Sequence, residues 1–240
     1  MSNLKYLFTR LKAGVPFTSK DLAAIGISPD LAVYYVRAGW LTRLARGVYC
    51  RPSEALSLHP SLQLLERQVR GLHVGGKTAL DWYGSRQYLL QKETLHLYGW
   101  VSARLPAWFL ERFPSEYHRK RLFQEDPGTP LHVLPFKKQD DAPSVSSPER
   151  AFLELLSEVG VRQPLLEARE LAETTYTLRA DVLGLLLTRC TSVKTVRLCL
   201  KLGRDLSLPW LKGLRAAGLP TGSRRPWVSR SRDGLLVLKP

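Results

Sequence analysis

Apolar positions in the first fifty residues fall at helical spacing three times and then switch to alternation. Leu4, Leu7, Phe8 and Leu11 share one face of a helix predicted over 4–13, which Gly14 ends. Thr18 then reads as an N-cap, with Asp21 three residues on as its acidic capping-box partner and Phe17 placed to staple onto Leu22. This second helix is short and stops at Gly26. Ser28-Pro29 opens a third: serine caps, and proline sits where a missing N–H has no consequence. It runs to Gly39, with Leu31, Tyr35 and Ala38 as the stripe expected to pack inward and Asp30, Val33, Tyr34 and Arg37 on the opposite face. Residues 40–50 alternate apolar and polar on either side of a turn at 45–47, which predicts a β-hairpin.

Two short capped helices joined by a tight turn, supported by a helix and followed by a hairpin, are the elements of a winged helix-turn-helix. In that arrangement the outward face of the second helix enters the major groove, and wing arginines reach phosphates or the minor groove. The candidate DNA-binding residues are therefore Lys20, Ser28, Asp30, Val33, Tyr34, Arg37, Arg43 and Arg46.

Beyond residue 52 the pattern is mixed. Leu58, Leu62, Leu65 and Val69 predict a helix over 61–70, and 93–98 and 131–136 read as strands. Trp108, Phe109 and Phe113 mark a helix between them that Pro114 interrupts. The polar stretch 139–147 is a candidate internal boundary. After it Ser147-Pro148 starts a helix with the stripe Phe152, Leu155, Leu156 and Val159, followed by helices at 164–173, 178–189 and 192–202. The fold class is α+β: a winged helix-turn-helix at 1–52, then a mixed α/β domain at 53–240 ending in helices.

Charge sharpens this picture. The net charge is +15, and residues 1–50 hold seven Lys/Arg against two Asp/Glu, while 194–240 hold eleven against two. The stretch between is almost neutral, with eighteen against seventeen. Two basic ends around a neutral middle suit one or two polyanion-binding surfaces. At the far end Lys194, Arg197, Lys201 and Arg204 recur every three to four residues, as a stripe opposite Val193, Val196, Cys199 and Leu200. Arg224, Arg225, Arg230 and Arg232 cluster around Trp227. The stripe, with Arg224 and Arg225, is a candidate partner-binding surface for an acidic protein or a nucleic acid.

Other chemistry is thin. Apolar runs are far too short to span a membrane, no secretory leader is evident, and Cys50, Cys190 and Cys199 form no CxxC pair, so a reducing cytoplasm fits. Residues 71–78, Gly-Leu-His-Val-Gly-Gly-Lys-Thr, satisfy the G-x-x-x-x-G-K-[ST] pattern, but a polar helical segment precedes them and no apolar run ending in aspartate offers a magnesium ligand. His59, His73, His96, His118 and His132 are scattered without ligand spacing, Ser85 lacks a nucleophile elbow, and Asp140-Asp141 reads as a solvated linker pair. No catalytic residue, metal or cofactor is expected.

The segment Tyr34-Tyr35-Val36-Arg37-Ala38-Gly39-Trp40-Leu41, followed by Arg43-Leu44, Arg46-Gly47 and Val48-Tyr49, resembles the N-terminal domain of the AbiEi antitoxins. The likeness continues at His73-Val74-Gly75-Gly76-Lys77-Thr78-Ala79-Leu80, at Ser147-Pro148-Glu149-Arg150-Ala151 and at Thr221-Gly222-Ser223-Arg224-Arg225. It departs at 235–238, where Leu-Leu-Val-Leu replaces a tyrosine-containing strand. The resemblance implies a type IV antitoxin and autorepressor of an abortive-infection system, not an enzyme. The resemblance further implies binding to operator DNA as inverted repeats in its own promoter, and neutralisation of a nucleotidyltransferase toxin through the second domain. Whether it binds DNA as a cooperating monomer or an oligomer stays open. Two alternatives also stay open: a plain winged-helix transcription factor with a sensing or dimerising domain, and an enzyme, either a P-loop NTPase or a nuclease-like protein.

Overall fold

The structure, a computed structural model, describes residues 9–52, 55–84, 94–126, 128–138, 142–215, 218–231 and 234–239. Half of the helix expected at 4–13, residues 4–8, lies outside these residues, as do Ser85, Asp140, Asp141 and Arg232; Thr9 and Arg10 are helical, and 11–13 are not. Contacts group the chain into two units: 1–69 with 104–114 and 135–143, and 70–103 with 115–134 and 144–240.

The first unit begins with β1 (Phe17–Thr18), α1 (Ser19–Ala24), α2 (Pro29–Arg37), β2 (Thr42–Ala45) and β3 (Val48–Cys50). Thr18 caps α1 reciprocally: its N–H donates to Asp21 Oδ2 at 2.7 Å, and Asp21 N–H donates to Thr18 Oγ1 at 3.2 Å. Gly26, at φ +82°, makes the left-handed turn into α2, whose first turn is closed by Leu31 N–H donating to Ser28 Oγ. The core gathers Leu11, Phe17, Leu22, Ile27, Ala32, Tyr35, Leu41 and Tyr49. The inward stripe of α2 therefore differs from expectation: Ala32 joins Tyr35, with Leu31 at the edge, and Ala38 is exposed. Ala38 is the C-cap, at the end of the helix.

The hairpin is joined by β1 on the far side of β3, giving the sheet order β1-β3-β2. A register shift between Arg43 and Ala45 bends β2 beside the turn. Gly47, at φ +74°, closes that turn and accepts from Ser19 N–H at 3.0 Å, which ties the hairpin to the start of α1. The same unit holds α3 (Leu58–Gln68), with Leu62 and Leu65 fully buried.

The second unit is built on a five-stranded sheet. Its N-terminal pieces are β4 (His73–Val74), α4 (Gly76–Trp82) and β5 (Leu95–Gly99); α5 (Ala107–Leu110), from the first unit, intervenes in sequence before β6 (Ser115–Arg119), β7 (Val133–Pro135) and β8 (Ser144–Ser146). The order is β6-β5-β4-β8-β7, with β5 parallel to β6, β4 antiparallel to β5, and β4 parallel to β8. Strand β8 falls inside the polar stretch read as a boundary: only two or three residues there have a side chain to bury, too few for periodicity to register.

Helices α6 (Pro148–Glu158), α7 (Leu165–Glu173), α8 (Ala180–Arg189), α9 (Val193–Asp205) and α10 (Trp210–Gly213) follow, then the hairpin β9 (Trp227–Ser231) and β10 (Gly234–Leu238). Helix α6 starts where the serine cap and proline predict, with Arg150 N–H donating to Ser147 Oγ. It is buried on every side rather than along one stripe, because α4, α7, α8 and α9 pack around it. Its charged residues must then find partners inside. Glu154 Oε1 accepts from Arg150 Nε at 2.8 Å and lies 2.9 Å from His73 Nε2, while Oε2 accepts from Ser146 Oγ at 2.9 Å. Arg150 also forms a two-pronged pair with Glu125 at 2.7 and 3.0 Å.

Candidate functional site

Helix α2 displays Asp30, Val33, Tyr34 and Arg37 on its exposed face, as its periodicity predicts. Val33 and Tyr34 are 45% and 56% exposed, large apolar surface with no covering neighbour in the described chain. Tyr34 is nonetheless held: its ring meets Trp40 edge-on at 6.2 Å and Tyr35 at 6.0 Å. A ring fixed from behind with its outer edge in solvent loses little entropy on contacting a base. Lys20 on α1, Arg43 on β2 and Arg46 at the hairpin turn are all exposed. Arg43 Nε makes only a long contact with Ala45 O, at 3.4 Å, which leaves most of its guanidinium donors outward. Ser28 is exposed too, but its hydroxyl already serves as the N-cap of α2. Asp30 sits in the first turn, where it steadies the helix dipole. It also disfavours a phosphate there, and a carboxylate of this kind accepts from cytosine N4 instead.

The glycine-rich segment at 71–78 does form a turn into a helix, but its donors are committed internally. Gly76 N–H donates to Glu154 Oε2 at 3.2 Å, so a carboxylate of the chain occupies the place a phosphate would take at the start of α4. A Cβ at Gly75 would lie 2.2 Å from that same oxygen. Lys77 Nζ pairs with Glu167 at 3.1 Å, and Thr78 Oγ1 accepts from His96 N–H at 2.8 Å. Accordingly Lys77→Ala should leave DNA binding unchanged, and calorimetry should detect no ATP or GTP uptake by the wild-type chain. Micromolar nucleotide binding that depends on Lys77 would overturn this reading.

The far basic residues do not form one exposed stripe. Arg197 is only 2% exposed, and its guanidinium donates to the carbonyls of Thr221, Arg225, Leu238 and Ser223. Lys194 is half-buried and donates to Ser157 O and Val159 O at 2.7 and 2.8 Å, with burial and then Lys120 pushing its ammonium down to about 8. Lys201 pairs with Asp205, while Arg204, Arg224 and Arg225 are exposed. The cause is the packing of α9, which α6, α7, α10 and β10 enclose, so a face that reads as polar in sequence is turned inward against backbone.

Residues with no sequence signal also come together in the second unit. His73, Tyr98 and His118 are cross-strand neighbours on β4, β5 and β6, and their rings stack at 6.1 and 4.7 Å. His96 continues the stack onto His118 at 5.2 Å. Burial, then Lys77 and His118, push His96 down to about 3. Beside this column a cleft of ≈ 380 Å³ is lined in part by Tyr117, His118, Arg119, Lys120 and Arg162. Only strand pairing brings these residues together, and nothing in their sequence spacing marks them.

Among the described residues no helix is long and apolar enough to cross a membrane. No curated protein matches the chain. Among solved structures, the RV2827C protein from Mycobacterium tuberculosis is similar, with a TM-score of 0.56 and 16% identity over 92% of this chain and 86% of that one. At that identity the likeness shows a shared fold. Two family matches account for the sequence from end to end: residues 1–91 match the N-terminal domain of the AbiEi antitoxin transcriptional regulators, and residues 92–239 match the AbiEi antitoxin, a transcriptional regulator of type IV toxin–antitoxin systems. The chain therefore belongs to the AbiEi antitoxin family of type IV toxin–antitoxin transcriptional regulators, which is not an enzyme family.

Proposed function

We propose that the protein represses its own operon by binding inverted-repeat operator DNA through a winged helix-turn-helix at 1–52. As the antitoxin, it counteracts a nucleotidyltransferase toxin through residues 53–240. The observation that carries the DNA-binding half is the exposed set on α2 and the hairpin: Val33, Tyr34 and Arg37 beside Arg43 and Arg46, with Lys20 on α1. These residues combine an aromatic edge for bases with guanidinium groups for phosphates. In a fluorescence-anisotropy titration of the full chain against its promoter duplex, affinity should fall steeply with salt. Arg46→Ala should weaken specific and random duplexes alike and lower the salt slope by about one, as for a lost phosphate contact. Tyr34→Ala should instead narrow the gap between operator and random DNA. A wild-type chain that does not distinguish its promoter from random duplex at any salt concentration defeats the reading.

For the antitoxin half, the exposed members of the distal basic set, Lys201, Arg204, Arg224 and Arg225, are the proposed contact with the toxin or with nucleic acid that it engages. Lys194 and Arg197 belong to the same set by sequence, and they support that surface from within. Charge reversal of the four exposed residues should abolish rescue of toxin-expressing cells and spare promoter repression. Preserved rescue with lost repression would reassign this surface to DNA.

A further inference from the structure

Strand pairing in the second unit places three metal-ligating side chains on one face of the sheet. β5 and β6 run parallel with His96 opposite Glu116 and Tyr98 opposite His118, and alternation along a strand puts all four on the same side. His96 Nδ1 lies 3.0 Å from His118 Nε2. A carboxylate oxygen of Glu116 lies 3.9 Å from that same Nε2, and one ligand atom from each of the three residues falls within 4.8 Å of the others. Two imidazole nitrogens on one ion, with bonds of about 2.1 Å, stand roughly 3.0–3.4 Å apart for bond angles between a right angle and the tetrahedral value. The observed separation fits the lower end of that range. We propose that His96 Nδ1, His118 Nε2 and the Glu116 carboxylate form a three-ligand site for a divalent transition ion of the zinc class.

The surroundings suit such an ion in two respects. A metal-bound imidazole usually has a partner for its other nitrogen, often a carboxylate; His118 has one, whereas His96 Nε2 is buried without one. His118 Nδ1 has Glu158 Oε2 at 3.7 Å, and Glu158 is itself held by Lys120 at 3.0 Å. The His118 ring is fixed by stacking on Tyr98. Arg162 also faces Nδ1, at 3.0 Å. A guanidinium only donates, so this contact selects the tautomer with its proton on Nε2, in the place the ion would take. Arg162 is 54% exposed and free to turn into solvent, which makes the ion and Arg162 competing partners of one ring. Access exists on two sides: the Glu116 side chain is 54% exposed, and His118 lines the cleft.

Donor chemistry, not charge, decides which ion. The surrounding formal charges balance: Glu116 and Glu158 stand against Lys120 and Arg162, and Lys77, which faces His96, is paired with Glu167. The field therefore contributes little, and affinity has to come from the donor atoms. Magnesium and calcium, which seek oxygen ligands, gain nothing from two imidazoles, whereas zinc and cobalt do. Three protein ligands leave a position open for water or a further ligand.

The test uses the full chain stripped of metal with a chelator and titrated with Co²⁺ in the visible region, followed by Zn²⁺ competition. One Co²⁺ per chain should give ligand-field bands that Zn²⁺ abolishes and millimolar Mg²⁺ or Ca²⁺ does not. Glu116→Gln, at an exposed position, should weaken binding at least about tenfold, His96→Gln should abolish the bands, and Arg162→Ala should not weaken them. Absence of the bands, or bands that persist unchanged in both Glu116→Gln and His96→Gln, overturns the assignment.

Discussion

Replacing Arg197 by methionine should detach the C-terminal hairpin and lower the melting temperature by on the order of 10 °C. The residue is nearly inaccessible, and among the described residues it makes no ion pair; its charge is met by four main-chain carbonyls, those of Thr221, Ser223, Arg225 and Leu238. A planar guanidinium with five donors can serve that many acceptors at once. Methionine keeps much of the volume and offers no donor. Each buried carbonyl left without a partner costs about 1–3 kcal/mol, so the segment reaches water more cheaply by opening. Hydrogen exchange by mass spectrometry should show protection lost over 221–238 while α6 keeps its own. Lysine at this position, with three donors on one atom, should restore only part of the protection. Alanine at exposed Arg204, about two helical turns away, should change stability by less than about 0.5 kcal/mol. Unchanged exchange in the methionine variant would show that the tail is held by its apolar contacts alone.

Glu154→Ala is expected to destabilise the second unit by about 3–5 kcal/mol, the usual result of removing one member of a buried ion-pair network. Arg150 would keep Glu125, but His73, Ser146 Oγ and Gly76 N–H would all lose their acceptor. Burial alone would raise this carboxyl, yet His73 and then Arg150 outweigh it and hold it down at about 2. Glu158 behaves alike: burial opposes ionisation, and His118 and Lys120 beside it bring it to about 2. Both folded values lie below the ordinary carboxylate value of 4.5. Their stabilisation is therefore complete above about pH 4.5 and is lost as pH falls from there through about 2. Denaturant midpoints measured between pH 6 and 3 should drop for the wild type, and Glu154→Gln should show a shallower drop over the same range. Equal slopes would mean that this carboxyl does not drive acid unfolding.

Interior placement also divides the distal basic block. The excess of Lys/Arg over 194–240 reads in sequence as one surface, yet among the described residues it divides into cations that fasten backbone, Lys194 and Arg197, and exposed ones such as Arg204, Arg224 and Arg225. Helical spacing says that Lys194, Arg197, Lys201 and Arg204 share a side of α9; it does not say which side faces out. A helix enclosed by α6, α7, α10 and β10 has little exposed face to offer, and the guanidinium turned inward finds carbonyls of the tail.

Sequence alone determined the parts of this protein governed by local chemistry. Thr18 and Asp21, Ser28 and Pro29, and Ser147 and Pro148 start α1, α2 and α6 because capping is settled within four residues. The outward face of α2 and the two arginines of the hairpin follow from periods of 3.6 and 2 in a small unit with one core. Tertiary structure decided whatever depends on residues far apart in the chain. Strands of two or three residues, such as β4 and β8, carry no readable period and exist because neighbouring strands pair with them. Glu154 closes the glycine-rich turn from 78 residues away. His96 and His118, 22 residues apart, meet only because β5 and β6 lie in register. Spacing along the chain cannot report such meetings, since strand register is set by the burial of whole sheet faces rather than by any one residue's neighbours.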